Sequence, residues 1–580
     1  MKANLPQDLS FERFLPRQVR HSNTTRTRPV RVHAEIPSEN ERNVDRRQNG
    51  LSNLLDFPTF NLSTFFSTTT DDKKGVFQLP VDGTFARKKG PSAAERIRAE
   101  CASELSRRAS NGVDSEQSLG RRLREQLQVL EEDLTQTSRE ARAAGPVPGS
   151  PMALLLERKK EHPPAVDLSA APLPPFEQIE GDTTAEGSGY EILLQAFNWE
   201  SHNHSWYQRL MGQANWFASL GITCVWLPPF TDSVSPQGYM PLDLYNLNSR
   251  YGSEDELRRC VAKLQSAGLK VLGDCVLNHR CASHQDSAGV WNQFGGRLDW
   301  CARAIVGDDR NFSGRGGPSS GSRFDAAPNI DHSQPFVKKD LSEWMQWLRE
   351  YVGFDGWRLD FVRGFHGSHV RDYMLATSPT FAVGEFWDSL SYNGGIPDHN
   401  QDKHRQQIID WINAAAGTAT AFDVTTKGIM HAVFERNEYW RLRDANGNPP
   451  GVMGWWPSRA VTFLENHDTG STQGHWRFPS SGLEQGYCYV LTHPGTPCIF
   501  YDHLEDPQLA NTIQRLIALR LRAGIHCRSQ VVIVRAESDV YVAEIDDSVV
   551  MKIGAGSYAP DDSKWAQAEA GHCWTVWYRR

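Results

Sequence analysis

The chain has 580 residues, 39% of them hydrophobic, which is enough for a large enzyme domain with accessories and for two or three domains in all. A formal net charge of −8 leaves no overall basic footprint for nucleic acid, and no run of about 18 apolar residues is present to cross a membrane. The ten cysteines are scattered without a CxxC pair, which argues against a zinc knuckle and a dense disulfide framework and fits reduced thiols.

Residues 1–50 contain Arg, Ser and Thr, few large apolar residues and no apolar h-region. They read as an organellar transit segment or as simple disorder, with Asp8 and Glu12 where a transit peptide usually avoids acids, and not as a secretory signal. This segment extends to residue 92, where "SAAE" is a capping box that opens a helical segment over 93–143. Within 119–134, Leu123, Leu127, Leu130 and Leu134 form an apolar stripe at 4-3-4 spacing that either pairs two helices, giving self-association, or docks on a neighbouring domain. Residues 144–187, rich in Pro, Gly, Ala and Ser, read as a linker.

From 188 onward short apolar runs alternate with helical patterns. "YEILLQAFNW", a helix to Leu220, "ITCVWLPPF", a helix from Glu254, "KVLGDCVLNH", a helix from Pro335, "FDGWRLDF", "TFAVGEFW", "AVTFLENHD" and "TPCIFYDH" follow in order. Such alternation means parallel strands with crossover helices, and a count near eight predicts an α/β fold with a closed (β/α)8 barrel over 188–279 and 334–525. No GxGxxG follows the first strand, which argues against an open dinucleotide-binding sheet. The Gly- and Ser-rich stretch 280–333 is then a loop domain inserted after strand three, and the alternating tail, 526–580, a small antiparallel β domain.

In such a barrel the chemistry belongs at the C-terminal ends of the strands, where the βα loops open. Asn278 and His279 end strand three, Arg358 and Asp360 strand four, Glu385 strand five, and His467 and Asp468 strand seven. Any one of these carboxylates alone is explained by an ion pair; their gathering at one end is not. Three carboxyls in one cleft can divide into a nucleophile, a proton donor and a stabiliser of positive charge, which is the chemistry of glycoside hydrolysis with retention. Arg358, two residues before Asp360 and on the same strand face, would keep that carboxylate ionised, while His279 and His467 can donate to sugar hydroxyls.

"GDCVLNH", "GWRLDFVRG", "GEFW" and "FLENHD" resemble four signature regions of the α-amylase family, glycoside hydrolase family 13. "LLQAFNWES", "GITCVWLPP", "QGYMPLDLYNLNSRYG", "GVMGWWPS", "NHDTGSTQ" and "QGYCYVLTHPGTPCIFYDH" are similar to the plant-type members, so the resemblance covers essentially all of 188–580. It implies an endo-acting hydrolase of α-1,4-glucans such as starch, with Asp360 as nucleophile, Glu385 as general acid/base and Asp468 stabilising the reacting sugar. Arg358, His279, His467 and Tyr239 would complete the subsite, with Trp387 of "GEFW" as a further substrate contact. Trp455 and Trp456 of "GWW" are expected either to form a surface platform for starch or to pack in the core.

The resemblance also implies structural calcium between the barrel and the loop domain. Asn278 and the Gly364 carbonyl match that site, but its aspartates fall on Ser319 and Asn329 and a further acidic position on Arg323. "WNQFGGRLDW" is shortened where a second site would lie, leaving Asp299 without its expected partners. Calcium wants several oxygens, preferably charged, so one weak site or none is expected. Glu465 stands where the family pattern has Asp. Two rival readings stay open: a transglycosylase of the same family, whose glycosyl intermediate is intercepted by sugar, and a non-catalytic glucan-binding protein. The start of the chain suggests a plastid or cytosolic, non-secreted form.

Overall fold

The computed structural model describes residues 187–580. The segments read as a transit or disordered stretch, a helix and a linker, together with the Leu stripe, lie outside the described residues.

Eight parallel strands close into a barrel: β1 Leu193–Gln195, β2 Cys224–Trp226, β3 Lys270–Cys275, β4 Gly356–Leu359, β5 Ala382–Gly384, β6 Thr420–Phe422, β7 Ala460–Phe463 and β8 Thr496–Phe500. Each pairs with its sequence neighbours and β1 pairs with β8. The helices α1 Trp206–Ser219, α2 Glu254–Ser266, α3 Pro335–Trp347, α4 Gly367–Thr377, α5 Asp402–Ala414, α6 Val424–Arg436, α7 Leu483–Thr492 and α8 Pro507–Arg522 follow the strands in turn. The sequence reading leaves a place for β6 between strands five and seven but assigns no run to it. Its run, Thr420-Ala421-Phe422, is too short and too weakly apolar to stand out from "AAAGTATAFDVTT". Closure of the barrel, with Ala421 opposite Gly384 and Ala460, is what makes it a strand.

Local chemistry starts several helices at their expected places. Ser253 and Glu256 form a reciprocal capping box on α2. Asp506 accepts from the amides of Gln508 and Leu509 at the start of α8, where Pro507 is the first helical residue.

The connection from β3 to α3 leaves the barrel, as expected for an inserted loop segment. A short hairpin, His284–Gln285 with Trp291–Gln293, and isolated bridges joining His279 to Asn329 and Ile305 to Ile330 organise it. Arg280, buried, pins the loop to the barrel by donating to the carbonyls of Leu242 (2.9 Å), Leu298 (2.6 Å) and Gly295 (2.7 Å). A small apolar cluster of Met240, Leu242, Cys281, Phe324, Ala326, Ala327 and Phe361 lies beneath it.

Five antiparallel strands form the C-terminal sheet, β9 Val531–Ala536, β10 Tyr541–Ile545, β11 Val549–Ile553, β12 Trp565–Gly571 and β13 Trp574–Arg579, in the order β9-β10-β11-β13-β12. Its inner face, with Tyr541, Ile545, Met551, Trp574 and Val576, belongs to the same core as the barrel helices. His493 and Tyr541 meet at 2.9 Å, and Trp574 donates its indole proton to Glu484 at 2.9 Å. The nine cysteines among the described residues are free thiols. No helix there is long and apolar enough to cross a membrane.

Candidate active site

The register of β3 against β4 places Asp274 directly beside Arg358, so two opposite charges meet on one barrel face before any loop is considered. Arg358 is fully buried and becomes the hub of the site. Its Nη1 donates to Asp274 Oδ1 at 2.9 Å and to Asp360 Oδ1 at 2.7 Å, and its Nη2 lies 2.8 Å from Glu385 Oε2. The guanidinium carbon sits 4.8 Å from the centre of the Trp226 ring and 5.7 Å from that of Tyr239. Asp274 also accepts from Trp226 Nε1 and Tyr239 Oη, both at 2.9 Å.

Backbone pairing continues past the strand ends. The Asp360 amide donates to Cys275 O, Glu385 N to Leu359 O, and Val362 N to Glu385 O. Phe361 then takes φ +45°, a left-handed conformation costly for an aromatic residue, and turns its ring into the loop-domain cluster. That turn separates Asp360, facing the barrel mouth, from a side chain that holds the loop domain down.

His467 and Asp468 come from the loop after β7, with His467 Nε2 3.5 Å from Asp468 Oδ2 and its Nδ1 2.9 Å from Gln195 Nε2. The rings of Tyr239 and His467 lie nearly parallel, 5.0 Å apart and 6° from coplanar, with Trp199 parallel to both. His279 reaches the same region, but its Nε2 is 2.9 Å from the Tyr239 carbonyl and its ring stacks on Phe324 at 3.9 Å. Its ring is therefore engaged by the protein itself. Trp387 stands edge-on to Phe463 and Trp476, each at 6.1 Å. Trp455 and Trp456 are not brought to this mouth. Trp455 is 38% exposed with the Arg405 guanidinium 3.6 Å from its ring centre, and Trp456 is half-buried beside Arg459.

Three buried carboxyls share one guanidinium with a fourth, Asp468, close enough to feel them, and the four cannot all be charged. Burial pushes Glu385 up to about 7, with Asp360 and Asp274 adding to the effect and Arg358 opposing it. Burial likewise raises Asp274 to about 6 against the pull of Arg358. Asp468 is held well above the usual carboxylate range by burial and then by Glu385. Burial keeps His467 and His279 neutral, Arg358 adding to the effect on His467. The site thus holds ionisable acids and neutral imidazoles together at neutral pH.

Asp274 is the member that sequence reasoning missed. It is the fifth of the six residues of β3, near the end that opens to the mouth, but the reading of that strand end begins at Asn278 and passes it over; its register opposite Arg358 brings it into the site.

The positions expected to hold calcium behave differently. Asn278 and Gly364 do adjoin, since a Cβ at Gly364 would fall 1.9 Å from Asn278 Oδ1. Around them the remaining positions are filled by donors. Asn329 Nδ2 donates to Asp309 Oδ2 at 2.8 Å and Phe324 O at 2.7 Å, while its Oδ1 accepts from Phe324 N at 2.8 Å. Ser319 Oγ donates to Asp308 Oδ2 at 2.6 Å, and Arg323 pairs with Asp325 at 2.9 Å. Amide and guanidinium protons thus occupy directions that a hard cation would fill with oxygens, and the residues present do not fit calcium. Among the described residues no group of three or more His, Cys, Asp or Glu could hold a metal ion.

The family described as "Alpha amylase, catalytic domain" matches residues 207–301, and "Alpha-amylase C-terminal beta-sheet domain" matches residues 522–578. The chain is 60% identical over 398 residues to "Alpha-amylase 3, chloroplastic" of Arabidopsis thaliana, an alignment covering 68% of this chain and 45% of that protein. It is 47% identical over 394 residues to "Probable alpha-amylase 2" of Arabidopsis thaliana, covering 67% of this chain and 94% of that protein. The alignment thus spans less than half of the first relative and nearly all of the second. A solved α-amylase from Malbranchea cinnamomea superimposes with a TM-score of 0.50 at 15% identity, covering 67% of this chain and 96% of that one, which speaks to the fold alone. With a second relative matched over nearly its whole length and both family domains present in order, this chain belongs to the α-amylase family of glycoside hydrolases.

Proposed function

We propose that the protein is an endo-acting α-amylase that hydrolyses α-1,4-glucosidic bonds in starch and related glucans with retention. The observation that carries this is the Arg358 hub, which holds Asp360 on one guanidinium nitrogen and Glu385 on the other. Asp360 attacks the anomeric carbon while Glu385, protonated, gives its proton to the departing glycosidic oxygen, so the C–O bond breaks as the glycosyl–Asp360 bond forms. Glu385, now ionised, takes a proton from water, whose oxygen displaces Asp360 and restores both carboxyls. Asp468 and the neutral His467 face the sugar that carries this positive charge, His279 holds the Tyr239 backbone beside it, Tyr239 and Trp387 line the cleft, and Arg358 and Asp274 keep the acids in place. Trp455 and Trp456, remote from the mouth, form a surface contact for the glucan.

Calcium, which members of this family usually bind, is not required for this chain's chemistry; the donor-filled surroundings of Asn329 support that reading. The chloroplastic relative supports a plastid as the place of action. The test is release of reducing ends from soluble amylose, with and without chelator, beside D360N. Rapid shortening of long chains that vanishes in D360N, with kcat down by at least about 10³-fold, is expected. Activity that D360N retains, or that chelation abolishes and only Ca²⁺ restores, would overturn the corresponding part of the reading.

A further inference from the structure

Beneath the loop that carries His467 and Asp468 lies a buried lysine that this chemistry does not use. Lys427, in the first turn of α6, is 0% exposed. Its ammonium donates to the Leu464 carbonyl at 2.5 Å, to Glu465 Oε1 at 3.2 Å and to the Trp476 carbonyl at 3.4 Å. His431 Nε2 lies 3.2 Å away, and the rings of Trp476, Phe478 and Phe463 stand 5.0, 5.5 and 5.7 Å from the nitrogen. Methionine or leucine would fill such an apolar setting without desolvating a charge, so packing alone does not account for a lysine here. Gly428 follows it because a Cβ there would fall 2.9 Å from Trp476 and 2.2 Å from Leu390.

Glu465 passes this anchor upward. Its Oε1 also accepts from Thr469 Oγ1 at 2.9 Å, and Thr469 Oγ1 accepts from the Asn466 amide at 3.1 Å. Asn466 Oδ1 in turn accepts from the amides of Asp468 at 3.1 Å and Thr469 at 2.9 Å. An unbroken chain of polar contacts therefore runs from α6 to the backbone of Asp468. The far end of the loop is tied separately, Ser471 donating to Asp502 at 2.9 Å and Asn198 to Asp502 at 2.7 Å. Losing the Thr469 link would displace the turn without releasing the loop.

We infer that Lys427 and Glu465 are positioning residues that act through Thr469 to fix the Asn466–Thr469 turn, and so set where His467 and Asp468 meet the reacting sugar. This rests on the hydrolase reading above. Burial draws Lys427 down to about 8 while Glu465 pulls it back up. The glutamate at 465, one methylene longer than the family's aspartate, spans the gap between Lys427 and Thr469.

The test is steady-state kinetics on soluble amylose for wild type, T469V, T469S, E465Q and the double variant E465Q/T469V, with melting temperatures recorded alongside. T469V keeps the side-chain shape and removes only the hydroxyl. Expected are a fall in kcat of roughly tenfold or more for T469V and for E465Q with KM within about twofold, wild-type kcat for T469S, and a double variant no slower than the worse single one. A T469V enzyme with wild-type kcat, a T469S enzyme as slow as T469V, or losses that multiply in the double variant would each overturn the inference. Wild-type protein that releases no reducing ends overturns the hydrolase reading and this inference together; active wild type with unchanged T469V overturns this inference alone.

Discussion

Glu385 shows how one side chain's surroundings assign its role. It is as buried as the apolar residues around it, and a carboxyl in that setting keeps its proton until about pH 7 although Arg358 touches it. A proton donor must be protonated in the free enzyme, so kcat/KM is expected to fall on the alkaline side with a midpoint near 7, read from a pH profile between 5 and 9. The same shift has a stability consequence. A carboxyl whose folded pKa is raised above the ordinary 4.5 adds no penalty below 4.5, and its cost grows as pH rises through 7. E385Q should therefore be inactive yet melt higher than wild type at pH 8, by about 2–4 °C for each kcal/mol relieved, with the advantage shrinking at pH 5. An E385Q gain equal at both pH values would show that the carboxyl is not held neutral.

Among the elements, the loop after β3 departs furthest from what the resemblance implied. Where the family pattern sets acidic residues around a cation, this loop closes on itself through Asn329, whose amide protons reach Asp309 and Phe324. Replacing Asn329 with Asp would put two carboxyls at a 2.8 Å contact now made by a hydrogen bond, a repulsion relieved at neutral pH by a shared proton or, better, by a cation. N329D is expected to lower the melting temperature in chelator, by about 1–3 kcal/mol of stability, and to recover it on adding Ca²⁺, whereas wild type should be indifferent to both. Calorimetry in the two buffers decides this. Much of the site was legible at this scale: Arg358, Asp360, Glu385 and Asp468 could be placed because they end apolar runs, where an unpartnered charge is conspicuous. Asp274 and β6 were missed, the first because only pairing with β4 shows that it meets Arg358 and the second because three residues are too few to carry a period of their own.

For the described molecule, barrel and C-terminal sheet share one apolar core, with polar contacts from Glu484 to Trp574 and from Gln485 to Tyr439 and Gly554 joining them. Trp574 is fully buried in that contact. W574A should cost about 3–5 kcal/mol, and the temperature at which glucan hydrolysis is lost should fall together with the melting of the sheet. Two separate transitions, with activity surviving the first, would show that the sheet is dispensable to the barrel.

The order of apolar runs, their lengths and the charges at their ends follow from local chemistry, so the alternation of strand and helix, the barrel and most of its acids could be read from the sequence. Long-range register could not. Whether Asp274 meets Arg358, whether Asn329 turns its amide toward Asp309, and whether Lys427 reaches the loop of Asp468 depend on segments between 20 and 84 positions apart or on which face a helix presents. Only the closed barrel fixes those distances, because each strand's position is set by both neighbours at once and a buried charge takes whatever partner that closure brings within reach.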